Sequence, residues 1–115
     1  MLAKPAPAPC LYTKEECLAL FTQMSDEVFP LFSDILKGRR PTIKAREMKT
    51  RWGSCNLRTH TITLNTRLTE KPRAAIEYVV MHEYVHFLHA DHQAGFHAEM
   101  ERLMPDYKQR RKLLR

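Results

Sequence analysis

His82 and His86 stand four residues apart with Glu83 beside the first, in the run His82-Glu83-Tyr84-Val85-His86. On an α-helix that spacing stacks the two imidazoles one turn apart on a single face, where both can reach one ion. Zinc is the metal this donor set suits best. A hydrolytic zinc site uses three protein ligands and keeps a position open for water, and a glutamate next to the first histidine can act on that water as a general base. The flanking residues strengthen the reading. Ala74, Ala75, Ile76, Tyr78, Val79, Val80, Met81, Val85, Phe87 and Leu88 make this helix apolar nearly all round, as expected of a central buried element. Two histidines and a glutamate are costly to bury there unless a partner such as a metal satisfies them.

The third ligand must come from downstream, where His89, His92, His97 and Glu99 are available. His92 is the preferred one. With His82 and His86 it gives offsets of zero, four and ten, which work only if the chain turns back after the second ligand. A continuous helix would carry His92 about 9 Å along the axis past His86, too far to share an ion. A break near Ala90-Asp91 is therefore expected. His89 reads as solvated and occupies the place where a glycine would ease the turn. His97 and Glu99 remain alternatives, because Gly95 offers another turn toward the metal.

These residues need a frame to hold them. The chain has 115 residues, of which 43% are hydrophobic, enough for one domain with one core. Residues 1 to 11 are a Pro/Ala-rich extension and 12 to 115 a single domain. Thr13 with Glu16 forms a capping box opening a helix with Cys17, Leu20, Phe21, Met24, Val28, Leu31, Phe32 and Ile35 on its apolar face. Pro30 should kink or divide it, and Gly38 should end it. Alternation over 42–47 and again over 60–65 predicts two paired strands, with 49–58 as the loop between them. Pro72 opens the active helix, which should run to Leu88 or slightly beyond. Phe96, Met100, Leu103 and Met104 mark a third helix up to Pro105, and Asp106 to Leu114 a last, basic one. Tyr107 reads as a packed tyrosine rather than a donor to the cleft. The sum is a small α+β domain.

Composition narrows the setting. Cys10, Cys17 and Cys55 are odd in number and lack CxxC spacing, so a reduced, cytoplasmic location is expected rather than a disulfide framework. No apolar leader and no membrane-length apolar run is visible. The formal net charge is +6, with Lys108, Arg110, Arg111, Lys112 and Arg115 clustered at the C-terminus. Such a run opens a second reading, a nucleic-acid-associated module with a closed structural zinc site completed by His97 or Cys55.

Several segments in a fixed order carry a family likeness: Arg51-Trp52-Gly53-Ser54-Cys55, Ile62-Thr63-Leu64-Asn65, Tyr78-Val79-Val80-Met81-His82-Glu83, Asp91-His92, Phe96, and Met104-Pro105-Asp106-Tyr107. Across residues 42 to 115 the chain resembles the YgjP-like metallopeptidase family, which is similar to SprT-like proteases acting on DNA-bound proteins. The resemblance implies a zincin-like fold and a zinc-dependent peptidase acting on peptides or proteins. It also implies metal ligands at His82, His86 and His92 and a catalytic role for Glu83. The sequence departs from the family at Tyr84, Val85, Asp91, Gln93 and His97. Cys55 is read as a buried structural cysteine, with a latent zinc-capping thiolate as the lesser alternative, and Trp52-Gly53 as a packed turn beside the helix.

Overall fold

The fold grows outward from a helix too apolar to sit at a surface. In a computed structural model that describes residues 11–115, that helix, α2 (Arg73–Val85), is buried on most of its circumference. Before it come α1 (Lys14–Val28), β1 (Thr42–Arg46), β2 (Gly53–Asn56) and β3 (Thr61–Asn65); after it come α3 (Ala94–Leu103) and α4 (Tyr107–Lys112). Pro72 stands at the N-cap of α2.

The capping box of α1 forms as expected. Glu16 N–H donates to Thr13 Oγ1 at 3.1 Å, while Glu16 Oε1 accepts from Thr13 N–H at 3.0 Å. Cys17, Phe21 and Met24 point into the core. The α-helix stops at Val28, however, and a short 3₁₀ turn, Phe29–Leu31, carries Pro30. The tighter turn changes the phase, so Phe29 and Phe32 become the buried residues. Leu31 and Ile35, expected on the apolar face, are exposed instead. Gly38, at φ +75°, closes this segment in the left-handed region.

Among the described residues the sheet has three strands, where alternation alone marks two. Its order is β1-β3-β2, with β1 parallel to β3 and β2 antiparallel to it. Residues 53–56 lie inside the stretch expected to be loop. Gly, Ser, Cys and Asn have little strand preference, and this strand exists because its backbone pairs with β3. His60, expected as the first strand residue, stands in the preceding turn at φ +56°. Its ring packs on Phe87 at 4.7 Å and its Nε2 bonds Arg39 O at 2.9 Å. Those contacts hold the turn in a conformation that is sparse for a non-glycine residue.

Asn65 ties the sheet to the crossing segment that precedes β2. Its Nδ2 donates to Met48 O and Arg51 O, both at 2.8 Å, and its Oδ1 accepts from Arg67 N–H at 3.0 Å. On the opposite side, Tyr84 fastens α2 to α1: its hydroxyl lies 2.6 Å from Ser25 Oγ and its ring 5.1 Å from that of Phe32. Among the described residues no helix is long and apolar enough to cross a membrane.

Candidate metal centre and active-site cleft

The active helix ends earlier than its apolar run suggests. The α-helical hydrogen bonds stop at Val85, His86 is the C-cap, and Leu88 N–H turns back to Val85 O at 2.9 Å. The break expected near Ala90-Asp91 thus comes at His86. Phe87 and Leu88 still pack against the core, which is why the apolar pattern runs past the helix end. The reversal brings His92 back over the helix.

His82, His86 and His92 each offer a nitrogen, and all three nitrogens lie within 4.8 Å of one another. Nε2 of His82 and Nε2 of His92 are 3.1 Å apart. Two ligands of a tetrahedral zinc, each at the usual ~2.0–2.1 Å, stand roughly 3.3 Å from each other, so this separation fits a shared ion. The other ring nitrogens are held by the protein. His86 Nδ1 faces His89 O at 3.1 Å, and His82 Nδ1 faces Glu83 Oε2 at 3.2 Å. Such contacts fix the tautomer that leaves Nε2 free for a metal. The imidazole of His92 is held below the ordinary histidine range, by desolvation first and by the neighbouring His82 and His86 next. That shift favours the neutral form a metal requires.

Phe96, buried at the start of α3, is the post on which the cluster rests. Its ring centroid lies 4.9, 4.9 and 4.8 Å from those of His82, His86 and His92. The alternative ligands are engaged elsewhere. His97 Nδ1 lies 3.3 Å from the hydroxyl of buried Tyr107, and Glu99 pairs with Arg102 at 2.8 Å. His89 is half-buried with its ring against Gly95, where a Cβ would sit 2.8 Å from it. Gly95 therefore makes room for His89 and does not turn the chain toward the metal.

The three histidines open onto a cleft of ≈ 560 Å³ between α2 and β2. Glu83 is 4% exposed and reaches this cleft beneath Gly53. A Cβ on Gly53 would stand 3.1 Å from Glu83 Oε2, Leu64 Cδ2 and Val79 Cγ1 alike. Glycine is what lets the strand pass directly over the carboxylate. Cys55, two residues on, is half-buried in the cleft wall, and its thiol is pushed up to about 12 by burial and then by the charge of Glu83. It is thus held as a neutral thiol.

The outer edge of β2 borders the cleft. Asn65 N–H donates to Trp52 O at 2.9 Å, so Trp52 turns its backbone groups toward β3. By the alternation of an antiparallel ladder, Ser54 does the same, while Gly53 and Cys55 direct N–H and C=O outward. No strand pairs with that side among the described residues. Gly53, Asn65, Phe96, Tyr78 and Arg111 are the contributors that sequence reasoning did not single out for the site. The signals available were the Arg51–Cys55 motif, read above only as packing, and the placement of Tyr78 one turn before His82.

A helix that presents two histidines and a glutamate to a cleft, a third histidine returning after a turn, and a small sheet above them define a zincin-like α+β architecture. The chain belongs to the YgjP-like metallopeptidase family, whose model matches residues 12–115. It is thus a member of a family of metal-dependent peptidases. Two solved structures share the fold. One is the metallopeptidase zymogen abylysin of Pyrococcus abyssi, 22% identical, with a TM-score of 0.64 over 78% of this chain and 90% of that one. The other is the metallopeptidase zymogen jannalysin of Methanocaldococcus jannaschii, 21% identical, with a TM-score of 0.59 over 71% and 79% respectively. No curated protein matches the sequence.

Proposed function

We propose that this protein is a zinc peptidase that binds its substrate as an extended strand along β2 and hydrolyses it over α2. The observation that carries the reading is the convergence of three imidazole nitrogens within 4.8 Å at the floor of a cleft that also holds Glu83. His82, His86 and His92 would hold the metal. A divalent ion there supplies the positive charge that acidifies water and polarises a carbonyl.

The chain's own residues do the rest. Gly53 and Cys55 offer backbone donors and acceptors to a substrate strand, which fixes where the scissile bond lies. Glu83, held low in the cleft by the strand above it, accepts the proton of the attacking water and delivers it to the departing amine. Cys55, a neutral thiol, contributes to the wall. The fit of three ligands with an approach left open favours catalysis over a closed structural site. At the basic C-terminus Arg110 is occupied with Asp106 at 2.9 Å and with Glu77 at 3.8 Å, while Lys108, Arg111, Lys112 and Arg115 form no ion pair among the described residues, so the nucleic-acid reading is second on the strength of the three-histidine cleft alone.

Replacing Glu83 by Gln should lower peptide hydrolysis by a factor of roughly 10²–10⁴, the usual contribution of a positioned general base. The variant should keep about one zinc per chain by elemental analysis, whereas His92→Ala should lose it. Parent-level hydrolysis by Glu83→Gln would remove Glu83 from the mechanism.

A further inference from the structure

The end of the cleft nearest the start of α2 has a chemistry that peptide hydrolysis alone does not require. β2 runs along α2 from Gly53, above Val79 and Glu83, toward the turn at His60, which packs on Phe87. Arg51 therefore lies at the Val79 end. The C-terminal segment reaches the same end, since Lys71 Nζ, 5.4 Å from the Trp52 ring, donates to Arg115 O at 3.3 Å. Arg111 and Leu114 line the cleft there, beside Tyr78.

Tyr78 is 7% exposed, yet its hydroxyl has no hydrogen-bond partner among the described residues, while no fully buried polar atom is left unpaired. The hydroxyl therefore keeps contact with solvent while its ring is buried. Burial pushes the phenol upward, and the nearby Arg111 charge opposes that push. The guanidiniums of Arg51 and Arg111 are likewise outside the ion-pair network. Arg40, Arg67, Arg73, Arg102 and Arg110 each pair with a carboxylate, but no ion pair forms to Arg51 or Arg111 among the described residues. Among the described residues, Glu83 is the only acidic one lining the cleft.

We propose that Tyr78, Arg111 and Arg51 form a subsite that binds a carboxylate of the substrate, from an acidic side chain or from the peptide's C-terminus. A phenol and two guanidiniums provide only donors toward an anion, and a guanidinium matches a carboxylate with two parallel bonds. Three separate segments supply them: the approach to β2, two residues before its start, the second turn of α2, and α4. The subsite rests on the peptidase reading for the identity of its ligand, while binding can be measured without turnover.

The test uses the full-length Glu83→Gln protein and fluorescent ten-residue peptides in three arms. One is neutral with an amidated C-terminus, one carries a single Glu scanned through each position, and one is neutral with a free C-terminal carboxylate. At least one carboxylate arm should bind about tenfold tighter than the neutral amide, the scale of charge-assisted pairing. That advantage should fall to about twofold on adding Arg111→Gln, with smaller losses for Tyr78→Phe and Arg51→Gln. A preference in the Glu scan identifies a side-chain ligand, and one confined to the free terminus identifies a terminal carboxylate. The subsite is refuted if no arm exceeds the neutral peptide by more than twofold, or if the advantage survives the combined Arg51→Gln and Arg111→Gln change in protein whose circular dichroism is unaltered. Cleavage by the parent protein is assayed separately. Hydrolysis of neutral peptides without carboxylate preference keeps the peptidase and removes the subsite, while selective binding without hydrolysis keeps the subsite and removes the peptidase.

Discussion

The two outer strands of the sheet share a partner and little else. β1 runs parallel to β3, buries Ala45 and sends Lys44 and Arg46 to solvent, so its sequence alternates as a strand packed on one face should. β2 runs antiparallel, is built from Gly, Ser, Cys and Asn, and lies over α2. Both pair their backbones with β3, but only the first also buries a side chain fully, Ala45, whereas the residues of the second remain half-buried or exposed. Under the proposed binding of an extended substrate, the outer edge of β2 cannot carry bulk, because side chains there would fill the space that the ligand and Glu83 need. The sequence features that advertise a strand are therefore weakest where the strand serves the site.

Substitutions can break or sharpen this contrast. Asn65→Leu should have the largest effect on stability, roughly 2–4 kcal/mol in urea denaturation, because it removes three hydrogen bonds and orphans the carbonyls of Met48 and Arg51. If β2 depends on its backbone tether, this variant should also lose peptide hydrolysis at temperatures where it is still folded. Gly53→Ala should cost less, about 1–2 kcal/mol from crowding Leu64 and Val79, while lowering hydrolysis about tenfold or more by displacing Glu83. A Gly53→Ala enzyme with parent activity would show that the close approach of strand and carboxylate has no role. Lys44→Gln, on the exposed face of β1, should change stability by less than about 0.5 kcal/mol and leave hydrolysis unaltered. A clear loss of activity there would end the distinction between the two edges.

Much of the frame was legible because the residues concerned act locally. The capping box of α1, the alternation of β1 and β3, the start of α2 at Pro72 and the periodicity of α3 all depend on near neighbours in the chain. The spacing of His82, Glu83 and His86 likewise needs only one helical turn. What escaped depends on tertiary partners. The helix end at His86 is masked because Phe87 and Leu88 stay apolar to pack in the turn. Leu31 and Ile35 rotate outward through the 3₁₀ turn at Pro30. Phe96 looked like any core residue on a helix, and only the reversal at residues 86–92 places it beneath three imidazoles. Tyr84, a departure from the family pattern, owes its tolerance to Ser25, 59 residues earlier in the chain.

The side of β2 that no strand pairs with among the described residues has a consequence for solubility as well. Backbone groups that could accept an extended peptide, as proposed, would equally accept the same edge of a neighbouring molecule, and long open edges are where proteins polymerise. Four residues give only two sets of outward-facing groups, at Gly53 and Cys55, and Arg51 adds a charge that two abutting copies would have to bring together. Four residues suffice for the short extended substrate proposed above and are too few to template a fibre.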